Sequence, residues 1–425
     1  MYNPRSLISL ATSAVLCNKG ILDFLQYLPR NIVFNLTQVA CEDLTNQVTH
    51  SKNLKELFSR WPFQTFITEA LDIIVAPPLA ALLASVIQEH SLGRVQFLDI
   101  SGDGNIGESL PTFLPLAGVK SENADSLSSK GDVVSRSPSR IVHASAMKVV
   151  LDVLVYTDNY DEIYEAFKRQ KEVMESGDED SLRLILFPGK LLLDGISSED
   201  ALKLVQVMDE MYLKTFVHYP DPDDTNKAAL SNLFTKIGSF HELQNLRLFD
   251  VSGETFQALT SHMVEQINSL KNIRIFEVTN CDELILERIL SSGLQSTHII
   301  EIAILNCHVT KAALCAIISN ENLHHLHELE ISSDAPFDDG FVDLQQVLEK
   351  NASTLLRLNL VGCPFTIAQL KALCPVLVKI QNLEELFFDP RLPVNVIKRE
   401  IIPMLSELPY LDASTLCDSE DEFSD

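Results

Sequence analysis

The sequence predicts an α/β solenoid, and three observations predict it. Six segments fit L-x-x-L-x-L, with Ile or Phe sometimes replacing Leu. They begin at Leu243, Leu270, Ile299, Leu326, Leu355 and Leu383, in steps of 27, 29, 27, 29 and 28 residues. Each is followed by a stretch with helical periodicity, as at 254–267 and 366–378. In Leu355-x-x-Leu358-x-Leu360 the last two leucines share one side of a strand, because strand side chains alternate. They meet Leu370 and Leu373 of the following helix. One such unit cannot bury its apolar face alone, so neighbouring units must stack. A fixed step with one strand and one helix is a leucine-rich repeat. The class expected is a leucine-rich-repeat horseshoe of ribonuclease-inhibitor-like units with an N-terminal helical cap.

Each element follows from the same pattern. Eight residues after the starts stand Val251, Val278, Cys307 and Cys363, where a small buried residue turns the chain off the strand. Asp334 and Arg391 depart from this, so irregular corners are expected there. Earlier strands are read at Val95-x-x-Leu98-x-Ile100, at Val150-x-x-Val153-x-Val155, in the run 182–187 and around 213–216. Helices follow at 158–174, 198–208 and 226–237. The competing class is an ordinary α/β domain, but steps this short leave little room for doubly wound crossovers. The organisation expected is a cap over 1–92, a solenoid over 93–412 and an acidic disordered tail over 413–425. A disordered loop over 119–145 interrupts the solenoid, and its stretch 120–140 contains seven serines.

Composition narrows the function. The chain has 425 residues, 46% of them hydrophobic, and a formal net charge of −26. Such a surface repels nucleic-acid phosphates and anionic membranes and favours basic protein partners. The eight cysteines include no C-x-x-C pair and read as buried free thiols in a reducing compartment, cytoplasmic or nuclear. No apolar run reaches the roughly 18 residues that span a membrane. Residues 5–17 weakly resemble a secretory signal, against which Leu7, Leu10, Ala11, Ala14 and Val15 form a helical stripe. The sequons at Asn35 and Asn351 are expected by chance. There is no Walker loop, G-x-G-x-x-G or H-E-x-x-H, so neither an enzyme nor a cofactor is expected. His324, His325 and His327 read as a solvated loop rather than a metal site.

Two N-terminal patterns point to partners. Ser6-Leu7-x-x-x-Ala11-x-x-x-Val15 resembles an elongin-binding box, with Ala11 where Cys is usual. Leu28-Pro29-x-x-Ile32-x-x-x-Leu36 resembles a cullin-2 box; Pro29 suits a helix start and Ile32 and Leu36 share a face. The competing reading is that both helices only close the solenoid. Leu28-Pro29-Arg30, then 53–63 ending in Trp61-Pro62-Phe63, then Val95-Gln-Phe-Leu-Asp-Ile100, is similar to the PRAME family in order and spacing. That resemblance implies a substrate receptor of a cullin-2 RING ubiquitin ligase, with elongin B/C and cullin-2 as partners. It also admits a non-ubiquitin role, such as inhibitory binding to a signalling kinase. A stand-alone acidic scaffold that inhibits or chaperones a basic protein is the alternative from composition.

The client surface is read from strand alternation. Arg247, Arg274 and Ala303 are expected in one exposed row, and Phe249, Phe276 and Leu305 in the next, making an apolar stripe flanked by arginines. A covering loop, or a register off by one, would instead place these Phe side chains in the core.

Overall fold

The computed structural model describes residues 65–67, 97–99, 114–116, 147–177, 182, 184–333, 336–337, 340–388, 397–406 and 408–411. The architecture is α/β, with strands alternating with helices and, within each unit, parallel pairing of successive strands. The chain divides into two compact units, Met1–Leu192 with Lys203–Leu213, and Leu193–Leu202 with Lys214–Asp425.

In the first unit, β1 (Thr65–Ile67) pairs in parallel with β2 (Phe97–Asp99), and β2 pairs with β3 (Met147–Val155). Leu98 lies opposite Val149, where the sequence pattern expects Val153. The register of β3 therefore differs from expectation by four residues, an even number that keeps the same faces in and out. Helix α1 (Tyr160–Glu175) follows and buries Ile163, Ala166 and Phe167. Its Gln170 is also buried and clamps the backbone of β4 (Leu184–Ile196). The amide Nε2 donates to the Leu186 carbonyl at 2.9 Å, and the Leu186 N–H donates to Oε1 at 2.8 Å. A buried amide is tolerated here because both its ends are satisfied. Val150, Leu182, Ile185 and Phe187 form a core cluster, closed by Val173, Met174 and Tyr212.

The division between units passes through β4 and α2 (Ser198–Val207). The second unit continues with β5 (Thr215–Pro220), α3 (Lys227–Ile237), β6 (Asn245–Phe249) and α4 (Gly253–Ser269). Next come β7 (Ile275–Thr279), α5 (Glu283–Arg288), β8 (Glu301–Cys307) and α6 (Lys311–Ser319). Then follow β9 (Glu328–Ser333), α7 (Phe341–Lys350), β10 (Arg357–Leu360), α8 (Ile367–Leu377) and β11 (Glu385–Phe388). Strands β5 to β11 pair in parallel, each with the next. The helices bury the residues their periodicity selects, such as Phe256, Met263 and Ile267 of α4, or Leu370 and Leu373 of α8. Polar side chains begin several of them: Asn226, Asp282 and Thr310 cap α3, α5 and α6, and Thr366 with Gln369 forms a capping box on α8.

Strand register corrects one sequence expectation. Leu246 lies opposite Phe276, and Leu248 opposite Val278. The second clear unit therefore starts at Ile273, not Leu270, and the first two steps are 30 and 26 residues rather than 27 and 29. The cause is α4, which at 17 residues is the longest helix described and needs three more residues before its strand. Leu270 is buried at the joint and fits the motif by coincidence of apolar spacing. An odd shift reverses the faces, so every outward residue read for β7 changes sides.

The same shift moves the corner. Val251, Cys281, Cys307 and Cys363 are the buried corner residues, with Cys281 in the place expected for Val278, which belongs to the strand. The residue before each has positive φ: Asp250 51°, Asn280 51°, Asn306 49° and Gly362 84°. Asp, Asn and Gly are the residues that tolerate this left-handed conformation. Asp250 N–H donates to the Thr279 carbonyl at 2.9 Å, Asn280 N–H to the Leu305 carbonyl at 3.0 Å, and Asn280 Nδ2 to Asp250 Oδ1 at 2.6 Å. The corners thus brace one another. Asp334 and Arg391, the expected irregular corners, lie outside the described residues.

Asn351 of the second sequon is fully buried. Its Oδ1 accepts from the Leu326 N–H at 2.9 Å and its Nδ2 donates to the Val347 carbonyl at 3.1 Å. It therefore serves the interior, ahead of a strand. The cap 1–92, apart from β1, falls outside the described residues, as do 119–145 and the tail.

Candidate functional site

Alternation leaves one face of β5–β11 half-exposed while the other is buried, as in the burial of β6, β7 and β9. Three rows cross this face. The first runs Thr215, Asn245, Ile275, Glu301, Glu328, Arg357 and Glu385. The second runs Val217, Arg247, Glu277, Ala303, Glu330, Asn359 and Phe387. The third sets Phe249, Thr279 and Leu305 side by side. Tyr219 extends it, its ring stacked on Phe249 at 3.7 Å between centroids.

Arg247, Phe249 and Leu305 therefore lie on the face where the sequence reading put them; Ala303 points the same way but is buried, not exposed as expected. Arg274 and Phe276 do not lie on that face. Phe276 is fully buried in the core row between Leu246 and Ile302. Arg274 is exposed but precedes β7, where its N–H donates to the Gln244 carbonyl at 2.7 Å. Arg247 has Glu277 as its neighbour, and Phe249 has Thr279. The expected pair of stacked phenylalanines is one aromatic pair, Tyr219 with Phe249, from a strand not included in the stripe. Ser6, Leu7, Ala11, Val15, Leu28, Pro29, Ile32 and Leu36 lie outside the described residues.

The electrostatics of the face are acidic. Two arginines meet carboxylates across strands: Arg247 Nε lies 3.4 Å from Glu277, and Arg357 bonds Glu328 at 3.2 Å and Glu385 at 2.5 Å. Glu330 accepts from Asn359 Nδ2 at 2.6 Å. Burial raises the carboxyls of Glu277, Glu301 and Glu330 above the usual carboxylate range; Glu328 adds to the rise at Glu301, and Glu277 and Glu328 at Glu330. These groups are held close to one another in a partly desolvated place, and protonation would relieve them. In the adjoining row Thr279 is 8% exposed, and its hydroxyl has no hydrogen-bond partner among the described residues. The glutamate rows could not be read from the sequence until β7 was in register, because the expected register put Arg274 rather than Glu277 opposite Arg247 and Ala303.

Other reactive groups belong to the framework. Cys281, Cys307, Cys363 and Cys374 are buried and Cys315 half-buried, and none of the five is in a disulfide. Burial pushes the Cys281 and Cys374 thiols up; at Cys315 burial and the Asp343 carboxylate do so together. Their thiolates are disfavoured, which does not suit a nucleophile. Cys281 N–H donates to Cys307 Sγ at 3.3 Å, and Cys363 Sγ to the Ile331 carbonyl at 3.0 Å, so these thiols hold corners. His324 Nε2 donates to the Ile318 carbonyl at 2.8 Å. Among the described residues no group of three or more His, Cys, Asp or Glu is placed to hold a metal ion. No helix among them is long and apolar enough to cross a membrane. Neither a protein-family model nor a curated protein matches this chain.

Proposed function

We propose that this chain is a non-catalytic leucine-rich-repeat adaptor. The horseshoe presents the half-exposed strand face to a client protein, and the N-terminal cap docks elongin B/C and cullin-2. The observation that carries the client-binding half is the face itself. Successive parallel strands set charged, aromatic and aliphatic side chains in register on one side, while the core occupies the other. A repeat array builds an extended protein-binding surface in this way. The coupling half rests on Ser6-Leu7-x-x-x-Ala11-x-x-x-Val15, on Leu28-Pro29-x-x-Ile32-x-x-x-Leu36, and on the resemblance to the PRAME family. Ubiquitin transfer would then be performed by the partners, and the adaptor would act in the cytoplasm or nucleus.

The test is affinity purification of the full chain from cells, with elongin C and cullin-2 measured in the complex. A leucine knob in a partner pocket is worth about 2 kcal/mol, or roughly 30-fold in affinity. Leu7→Ala should therefore lose elongin C with circular dichroism unchanged. Alanines at Leu28, Pro29 and Ile32 should lose cullin-2 and keep elongin C. Undiminished elongin C on Leu7→Ala would remove the elongin assignment. A complex containing a client but no cullin would favour the second reading, an acidic scaffold that inhibits or chaperones its partner, which the glutamate rows support.

A further inference from the structure

We propose that the face of β6–β9 binds an extended basic segment of a partner protein, its lysine or arginine side chains meeting Glu277, Glu301, Glu328 and Glu330 and a polar group meeting Thr279. The proposal rests on the client-binding reading and specifies the chemistry of the client. Three independent features support it. Charge is the first: these four glutamates, from three neighbouring strands, outnumber the two arginines that reach them, Arg247 at Glu277 and Arg357 at Glu328, and Glu301 and Glu330 have no ion pair among the described residues. A cation placed between them would replace water in stabilising charges that burial and mutual repulsion disfavour. Thr279 is the second. A hydroxyl more than nine-tenths buried with no partner loses its hydration without return, and a ligand donor or acceptor would satisfy it. The third is the apolar border of Phe249 and Leu305, which gives an extended segment somewhere to lay the stems of its long side chains.

Parallel strands in register repeat the charges about 4.8 Å apart across the sheet, whereas alternate side chains of an extended segment recur at roughly 6.8 Å. Glu277 and Glu330 stand in one row two strands, or about 9.6 Å, apart, with Glu301 of the neighbouring row between them, so a segment crossing the strands can bring its cations against all three. Helical binding would present its charges at a different spacing and is not the geometry proposed.

The probe is a fluorescent ten-residue peptide of alternating lysine and serine, titrated into the full chain at 150 mM salt. Its glutamate–serine counterpart is the charge control. A Glu301→Gln, Glu330→Gln pair should weaken binding at least tenfold and raise the melting temperature at pH 7, because the half-buried repulsion of these two carboxylates with Glu277 and Glu328 is removed. Thr279→Val, close to isosteric, should weaken it several-fold. Glu254→Gln, Glu265→Gln on α4 has the same change in net charge and should leave binding within twofold. Equal weakening by the two glutamate pairs would show attraction to overall charge and overturn the proposal, as would no measurable binding of the lysine peptide. If a cellular client cross-links to this face but ignores the Glu301→Gln, Glu330→Gln pair, client binding stands and the basic preference falls.

Discussion

A Phe276→Ser variant should lose about 4 kcal/mol of stability, and its melting temperature should drop on the order of 10 °C. Phe276 is fully buried, opposite Leu246 on one side and Ile302 on the other. Truncating a buried phenylalanine costs roughly 3–5 kcal/mol in lost transfer energy and cavity, and serine adds a buried hydroxyl. Phe249→Ser is the comparison. That ring is half-buried on the opposite face and stacks on Tyr219, so its loss should cost about 1 kcal/mol. Thermal melts of the two single variants measure the difference. Comparable small effects would mean that β7 has the register in which Phe276 is exposed.

The second large effect is a pH dependence centred on His218. This residue takes the third apolar position of its strand, beside Leu248 of β6, and is buried. Its Nε2 has no hydrogen-bond partner among the described residues, and burial lowers its pKa to about 4, against a smaller opposing pull from Asp224. Burial would raise the Asp224 carboxyl, but hydrogen bonds from Ser198 and Asn226 hold it below the usual range. The folded state therefore keeps His218 neutral while the unfolded chain takes up a proton near pH 6.5. Stability is full above about 6.5 and is lost as the pH falls towards 4, by about 3 kcal/mol from this one group. His218→Leu should stay within about 1 kcal/mol of the parent at pH 7 and exceed it by about 3 kcal/mol near pH 4. Glu277, Glu301 and Glu330 shift the other way, since raised carboxyls gain stability on acidification, but they do so equally in both proteins. Chemical denaturation at the two pH values gives the difference directly. Parallel losses in parent and variant would show that His218 is not buried neutral.

Periodicity made the strand-and-helix architecture legible. The helices expected at 198–208 and 226–237 end within a residue of α2 and α3, because their apolar stripes and caps agree. Register was harder. Leu270, Ile273, Ile275, Phe276 and Val278 offer two overlapping motifs, and only the length of α4 decides between them. The third position of β5 escaped notice because it is His218, a residue the pattern does not admit. The client face suffered most, since one odd slip turned a row of Arg247 and Glu277 into a row of two arginines. The acidic character was visible in the net charge, but its concentration on β7–β9 required the cross-strand pairing.

The central claim is that a client protein lies on the strand face. A photo-crosslinking amino acid placed at Asn359, in the second row of that face, tests it against one at Gln346 on α7, which is exposed among the helices. Both are introduced into the full chain in cells, and the cross-linked adducts are compared. A specific client adduct from Asn359 and none from Gln346 is the predicted result; the same client captured from Gln346 alone would place recognition on the helices and contradict it.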